Sequence, residues 1–207
     1  MEPDRVTAFE SLLERAAACR RCPDMGSPPI LSRRHGAPGA RVLFVGEAPG
    51  RLGAVRTGVP MTSDNTGRRF GRLLAAAGLR REEVFITNAV LCHPARPDGR
   101  NRTPTAREVA ACAPWLAALV EAVDAPVVVT LGATALDALR RIEPHPYTLA
   151  DAGRPVPWRG RTLVPLYHPG PRALIHRPEA AQAEDFRRLG ALVRGAAAGG
   201  EGAASLR

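Results

Sequence analysis

Four short segments of the chain are continuously apolar, and each is bounded by turn-forming residues. They cover residues 41–46, 84–87, 126–132 and 162–167. Because the apolar positions are consecutive rather than alternating, we expect strands that are buried on both faces, as in a parallel sheet covered by helices.

Helical periodicity fills the intervals between these strands. The predicted helices cover residues 7–19, 66–78, 105–123, 134–142 and 178–194. Thr105 and Glu108 have the T-x-x-E spacing of a capping box, which fixes the start of the third helix. Strands that alternate with helices predict an α/β fold. We therefore expect a single three-layer domain over residues 1–194, with a central four-stranded parallel sheet flanked by helices.

Three segments lie outside this regular pattern. Residues 195–207 are rich in Gly and Ala without an apolar period, which predicts a flexible C-terminal tail. Residues 23–40 and 50–65 form long irregular connections. Connections of this length within a compact domain are more often functional than accidental.

The charge of the chain favours a polyanionic partner. Lys and Arg together number 29 against 20 acidic residues, and every one of these cations is an arginine because the sequence contains no lysine. A guanidinium can bind two phosphate oxygens at once, so nucleic acid is the expected partner. No segment is apolar enough for a membrane span or a signal peptide, so we expect a cytosolic protein without a membrane partner.

Chemically versatile residues follow each predicted strand. Gly46-Glu-Ala-Pro-Gly50 follows the first strand, Asn88 the second, Gly132-Ala-Thr the third and His168-Pro-Gly170 the fourth. Each alone is explained by a turn or a helix cap. However, ligands of open parallel sheets bind beyond the carboxyl ends of the strands. Together these segments bring a carboxylate, an amide, an imidazole and backbone N–H groups to one edge.

The four cysteines are candidates for a metal centre. Cys19 and Cys22 form a C-x-x-C pair, while Cys92 and Cys112 lie further along the chain. Cytosolic thiols stay reduced, so metal ligation is more plausible than disulfide formation. The spacing alone leaves zinc, an iron–sulfur cluster and unrelated core cysteines open.

Five motifs in order resemble the uracil-DNA glycosylase superfamily. They are GEAPG, TNAVLC, NRTPT-x-x-E followed by a cysteine, VVVTLGATA and YHPG. The resemblance spans residues 19–188 and is strongest to the iron–sulfur families four and five. Residues 56–64 are more similar to family five, which suggests a mixed or separate branch. The family implies hydrolysis of the N-glycosidic bond of a flipped uracil in DNA, leaving an abasic site. It also implies a 4Fe-4S cluster on the four cysteines, with zinc as the less favoured occupant, acting as a structural clamp.

The resemblance also implies roles for the residues at the sheet edge. Glu47, Asp64 and His168 are the catalytic candidates. Of the two carboxylates we favour Glu47 for the sugar cation, since a helix N-cap explains Asp64 equally well. The expected base-binding residues are Gly46, Ala48, Pro49, Gly50, Met61 and Asn88. Asn88 matches the donor and acceptor pattern of uracil but not of cytosine. Met61 stands where the family usually has a phenylalanine, which predicts a looser pocket and a wider range of deaminated bases.

Residues 168–174 resemble the loop that enters the DNA minor groove. Pro169, Gly170, Arg172 and Leu174 are the expected DNA contacts, with Arg172 or Leu174 as the wedge that fills the space of the flipped nucleotide. The remaining histidines, His35, His93, His145 and His176, we interpret as surface or turn residues. The expected partner is DNA that contains uracil or another deaminated base, bound by a monomer.

Two other functions compete with a glycosylase. A nucleotide-binding protein would show a G-x-G-x-x-G or a P-loop motif, and the P-loop is impossible without lysine. A non-catalytic DNA-binding protein whose fold is held by an iron–sulfur cluster or zinc would need aromatic side chains on which bases stack. The chain has two Trp, two Tyr and five Phe, which are too few for this. The missing lysine also predicts a monofunctional glycosylase, because a Schiff base to the sugar needs an amine.

Overall fold

The computed structural model describes residues 3–204, with side chains described for residues 6–196. Within this range the sheet has five strands in the order β2-β1-β3-β5-β4. The strands are β1 (Val42–Gly46), β2 (Val84–Asn88), β3 (Val127–Leu131), β4 (Val156–Trp158) and β5 (Arg161–Leu166). Four of them are parallel, and β4 pairs with β5 in the antiparallel direction.

Helices cover both faces of the sheet. They are α1 (Pro3–Ala17), α2 (Ala54–Thr57), α3 (Asn65–Ala76), α4 (Ala106–Val123), α5 (Ala133–Arg140) and α6 (Glu179–Ala204). Helices α1, α4 and α5 share one apolar core with the sheet, and α3 and α6 share the other. The three-layer α/β prediction is therefore confirmed.

Alternate side chains of each buried strand enter opposite cores. In β1, Leu43 and Val45 pack in the core with α1 and α4, whereas Val42 and Phe44 pack against α3 and α6. All five residues of β1 are buried, as are those of β2 and β3. This two-sided burial explains why the strands are apolar at consecutive positions.

The structure differs from the sequence-based expectation in three elements. One of the five strands, β4, was not predicted because it is only three residues long and contains Pro157, which is tolerated at a sheet edge. Helix α2 lies inside the segment predicted as irregular. Helix α6 continues to Ala204 instead of ending at residue 194, since alanine is a strong helix former. Residues 205–207 of the predicted tail lie outside the described residues, and its flexibility stays a prediction.

The register of the sheet brings the ends of the parallel strands together. Gly46 is paired with Asn88, and the N–H of Gly132 donates a hydrogen bond to the carbonyl oxygen of Leu166 at 2.8 Å. The segments that follow β1, β2, β3 and β5 therefore lie at one edge. In the described part of the chain, no helix is long and apolar enough to cross a membrane.

Candidate active site

A cavity of about 140 Å³ lies at this carboxyl edge. It is lined by Glu47, Ala48, Pro49, Gly50, Gly53, Ala54, Pro60, Met61, Asp64, Thr66, Asn88, Asn101 and His168. Eight of the predicted site residues are among them, contributed by the ends of β1, β2 and β5 and by the segment before α3. The structure thus brings together the carboxylates, the amide and the imidazole that sequence analysis selected.

Gly46 makes room for the amide of Asn88. A Cβ atom at position 46 would lie 2.6 Å from Asn88 Oδ1 and 3.2 Å from Met61 Cε. Asn88 is only 3% exposed, and its side chain forms no hydrogen bond with the described residues. Because a buried amide is costly without partners, this group is available for a ligand in the cavity.

His168 is held in one neutral tautomer. The backbone N–H of Gly170 donates a hydrogen bond to His168 Nδ1 at 2.9 Å. Burial lowers the pKa of His168 to about 4, against the opposing effect of Asp64. With Nδ1 accepting and the ring neutral, the proton resides on Nε2. A Cβ at Gly170 would lie 2.8 Å from Nδ1, so this contact depends on glycine.

Each carboxylate of the cavity has one oxygen engaged. Thr134, at the start of α5, donates its hydroxyl to Glu47 Oε2 at 2.7 Å. Asp64 Oδ1 accepts the N–H of Gly67 at 2.7 Å, so Asp64 is the N-cap of α3 and also lines the cavity. Its other oxygen faces Gly53, where a Cβ would lie 3.0 Å away.

The segment between α2 and α3 is strained where it lines the cavity. Met61 and Ser63 have φ values of 54° and 66°, in the left-handed region that non-glycine residues rarely adopt. A Cβ at Gly67 would lie 2.6 Å from the backbone nitrogen of Thr62, so α3 packs directly on this segment. Strain of this kind is held by the surrounding structure and is common at functional sites.

Asn101 is a cavity residue that sequence analysis missed. Its Oδ1 accepts the backbone N–H of Arg51 at 3.0 Å and contacts His93 Nε2 at 2.9 Å. Since Oδ1 already accepts from a backbone donor, His93 must donate as well, and the amide nitrogen is directed elsewhere. A Cβ on Gly50 would lie 3.6 Å from Asn101 Nδ2. Asn101 therefore presents a donor at the cavity mouth.

The loop after β5 forms one border of the site. Pro169 and Gly170 are buried, Arg172 is exposed and Leu174 is half-buried. The neighbouring Ile175 is 83% exposed, which makes it one of two exposed large apolar side chains among the described residues. The difference in exposure carries no signal in the sequence, because Leu174 and Ile175 are equally apolar.

The four cysteines line a second cavity. Cys19 and Cys22 follow α1, Cys92 follows β2 and Cys112 lies on α4, and all four border the same cavity with Trp115. The indole Nε1–H of Trp115 and the backbone N–H of Leu91 donate to Cys19 Sγ and Cys112 Sγ, each at 3.3 Å. Among the described residues, no group of three or more His, Cys, Asp or Glu is arranged to hold a single metal ion.

The surroundings of Cys92 and Cys112 favour the neutral thiol over the thiolate. Burial, with a smaller effect from the neighbouring thiols, raises the pKa of Cys92 to about 11 and that of Cys112 to about 12. The start of α4 is fixed nearby by the predicted capping box, in which Thr105 and Glu108 bond reciprocally. Glu108 also pairs with both terminal nitrogens of Arg102, which lowers its pKa to about 2.

Three of the four histidines interpreted as surface or turn residues are buried, so a surface position was wrong for these three. His35, His93 and His145 are at most 8% exposed, and only His176 is exposed. Each buried ring has a hydrogen bond that the sequence does not reveal: His35 with Ser32, His93 with Asn101 and His145 with Leu136.

Comparison with known proteins identifies the family. The model of the Uracil DNA glycosylase superfamily matches residues 33–189. The Type-4 uracil-DNA glycosylase of Thermotoga maritima is 35% identical, over 80% of this chain and 83% of the relative. The Type-4 uracil-DNA glycosylase of Archaeoglobus fulgidus is 29% identical over 90% of this chain and 94% of the relative. The Type-5 uracil-DNA glycosylase of Thermus thermophilus is 32% identical over 77% of this chain and 85% of the relative. The chain belongs to the uracil-DNA glycosylase superfamily.

Proposed function

We propose that this chain is a DNA repair glycosylase that hydrolyses the N-glycosidic bond of uracil in DNA and leaves an abasic site. The observation that carries the proposal is the neutral His168, fixed by Gly170 with its proton on Nε2, in a cavity that also holds Asn88 and Glu47. Cleavage separates charge into a sugar cation and a uracil anion. A fixed donor and a fixed carboxylate in one cavity suit these two charges.

Base selection rests on Asn88 in this proposal. Its amide donates to one uracil carbonyl and accepts from the ring N–H, whereas cytosine interchanges those groups. The extruded base would lie against Met61 and the backbone of Gly46, Ala48, Pro49 and Gly50. His168 Nε2–H donates to the other carbonyl and strengthens that bond as the oxygen becomes anionic.

Glu47 is our choice for the carboxylate that stabilises the sugar cation and orients the attacking water. Asp64 lines the same cavity as His168 and acts on it electrostatically, so its charge is near the donor to the leaving anion. A negative charge there opposes the anion. Its bond to Gly67 also commits one oxygen to the helix cap. We assign Asp64 to holding the strained segment that contains Met61.

The range of bases is part of the proposal. The flexible thioether of Met61 restrains a base less rigidly than a ring does. Measurement of uracil, hypoxanthine and xanthine release from matched oligonucleotides tests this point. Strict uracil specificity would contradict the looser pocket.

Cys19, Cys22, Cys92 and Cys112 would hold a 4Fe-4S cluster, with zinc as the less favoured occupant. The donor set fits, because four half-buried, reduced cysteines border one cavity and thiolates are the ligands of such clusters. The cluster would supply structure rather than redox chemistry. Its ligands would link the end of α1 and the exit of β2 to α4, next to Asn101 and His93.

On the DNA side, Pro169 and Gly170 shape the loop after β5. Arg172 stays a candidate for a DNA contact. Ile175 is better exposed than Leu174 and is our choice for the side chain that enters the duplex. We expect a monomer to act on DNA.

Release of free uracil from single- and double-stranded oligonucleotides tests the function. We expect turnover by the wild type and a strong loss in Asn88→Asp, whose carboxylate cannot donate to the carbonyl. Tight DNA binding without uracil release by any preparation that contains its cluster would instead identify a non-catalytic DNA-binding protein.

A further inference from the structure

A groove of about 430 Å³ opens beside the base cavity and shares Asp64, Thr66 and Asn101 with it. We call it the arginine groove. Its other lining residues are Arg51, Leu52, Asn65, Arg96, Arg100, Pro171 and Arg172. The groove therefore continues directly from the place where an extruded base would lie.

The side chains of three of its four arginines form no hydrogen bond or close ion pair with a described residue, although the charge of Arg96 acts on Asp98. The side chains of Arg51, Arg96 and Arg172 are exposed and form no hydrogen bond and no ion pair within 4 Å of any described residue. Arg100, in contrast, is paired with Asp98 at 2.6 Å. Unpaired guanidinium groups converging on one groove create a site for successive anions, and phosphate oxygens fit their planar donor array.

The backbone that carries these arginines is well fixed. The N–H of Arg51 bonds to Asn101 Oδ1, which ties the loop after β1 to the turn that contains Arg96. Within that turn the N–H of Arg96 bonds to the carbonyl oxygen of Arg100 at 2.8 Å, and Ala95 forms a bridge with Asn101. The two walls of the groove thus keep a set spacing before any ligand binds.

Leu52 adds an apolar surface among these charges. It is 55% exposed and lines the groove next to Arg51. Apolar side chains beside cations are typical of surfaces that hold a nucleic acid strand, where bases contact the apolar groups and phosphates contact the cations.

We infer that the arginine groove holds the DNA strand that flanks the extruded nucleotide. Arg51, Arg96 and Arg172 bind its phosphates, and Leu52 contacts the adjacent base. The inference rests on the proposed function in one respect, namely that the extruded nucleotide occupies the neighbouring cavity. Continuity of the strand then requires the next phosphates to leave through this groove.

The test measures DNA binding rather than turnover. Dissociation constants are determined by fluorescence anisotropy for an oligonucleotide with 2′-fluoro-2′-deoxyuridine, which resists hydrolysis, at several salt concentrations. Arg51→Ala, Arg96→Ala and Arg172→Ala should each weaken binding about fivefold to tenfold near 0.1 M salt, and each should reduce the salt slope by about 1. Leu52→Ser should weaken binding without changing the slope, since it removes no charge.

Two further arginine variants serve as controls. Arg100→Ala should have a smaller effect because Asp98 already neutralises that side chain. Arg141→Ala removes an exposed arginine after the far end of α5 and should leave binding unchanged. Wild-type affinity and slope in the three groove variants would overturn the inference. If these variants weaken binding but the wild type releases no uracil, the arginine groove binds DNA as inferred and the proposed glycosylase function is wrong.

Discussion

The backbone N–H of Gly170 donates a hydrogen bond to His168 Nδ1 at 2.9 Å, and this bond decides which nitrogen of the ring carries the proton. The donor that remains, Nε2–H, belongs to a neutral imidazole because burial holds the pKa of His168 near 4. A neutral donor binds the uracil carbonyl without itself becoming a proton source.

Nitrogen-15 NMR of histidine-labelled protein should find His168 in the Nε2–H tautomer, with a pKa of about 4. His168→Ala should lower the single-turnover rate by about 10² to 10³, the cost of one lost donor to a developing anion. A ring that titrates between pH 6 and 7, or a variant of full activity, would contradict this role.

Glu47→Gln and Asp64→Asn separate the two carboxylates, because each keeps the shape and removes the charge. We expect Glu47→Gln to slow the chemical step by about 10² to 10³ with DNA affinity intact. Asp64→Asn keeps an oxygen acceptor for Gly67, so the cap of α3 survives and the loss should be about tenfold or less. A larger loss in Asp64→Asn than in Glu47→Gln would show that Asp64, not Glu47, stabilises the sugar cation. Full activity in both variants would show that the active site is assigned wrongly.

Trp115→Phe tests whether the cysteine cavity holds a cluster tuned by the protein. The purified wild type should be brown, with broad absorption at about 400 nm. The variant keeps a ring beneath the Arg21 guanidinium but removes the donor to Cys19 Sγ. Its reduction potential should fall by on the order of tens of mV, because hydrogen bonds to ligand sulfurs raise the potential. Trp158→Phe, which removes an indole donor that bonds the Glu143 carbonyl oxygen and no sulfur, is the control. Colourless protein with stoichiometric zinc would contradict the cluster.

His35 should make stability depend on pH. It is fully buried, and burial together with the Arg81 charge lowers its pKa to about 4. Between about pH 6.5 and 4 the unfolded chain binds more protons than the folded one, so the free energy of unfolding falls as the pH falls. His35 should account for about 2 to 3 kcal/mol of this loss.

Urea unfolding at several pH values measures this contribution. His35→Gln should make the dependence between pH 4 and 6.5 shallower, leaving the part that His168 contributes, whereas replacement of the exposed His176 by Gln should leave it unchanged. Equal slopes in the wild type and His35→Gln would show that His35 does not carry the effect.

Sequence patterning predicted the parts of this fold that two-sided burial controls. The runs at β1, β2, β3 and β5 are apolar because both faces are covered, so their positions were predicted almost to the residue. The short β4 carries no such signal, since it is an edge strand with an intermediate, an exposed and a buried residue. The extension of α6 to Ala204 was not predicted, because the glycines of this segment lower its helix propensity while its alanines raise it.

Within the site, residues that directly follow a strand were predictable and residues placed by long-range contacts were not. Glu47 and His168 closely follow a buried strand and Asn88 is the last residue of one, and the sheet edge brings the three together. Asn101 reaches the cavity only through its bonds with Arg51 and His93, which no sequence spacing indicates. Its place in the N-R-T-P-T motif was the one available signal.

The central claim is that the protein hydrolyses the N-glycosidic bond of uracil in DNA. Its most direct test is the mass of a uracil oligonucleotide after reaction with the protein, with and without borohydride. Because the chain has no lysine to form a Schiff base with the sugar, we expect water to be the nucleophile. We predict an intact strand whose uracil has been replaced by a hydroxyl group, free uracil in equal amount and no trapped protein–DNA adduct. An unchanged oligonucleotide would contradict the glycosylase assignment. A borohydride-trapped adduct in protein with an acetylated N-terminus, or a strand cut without alkali, would contradict the hydrolytic mechanism.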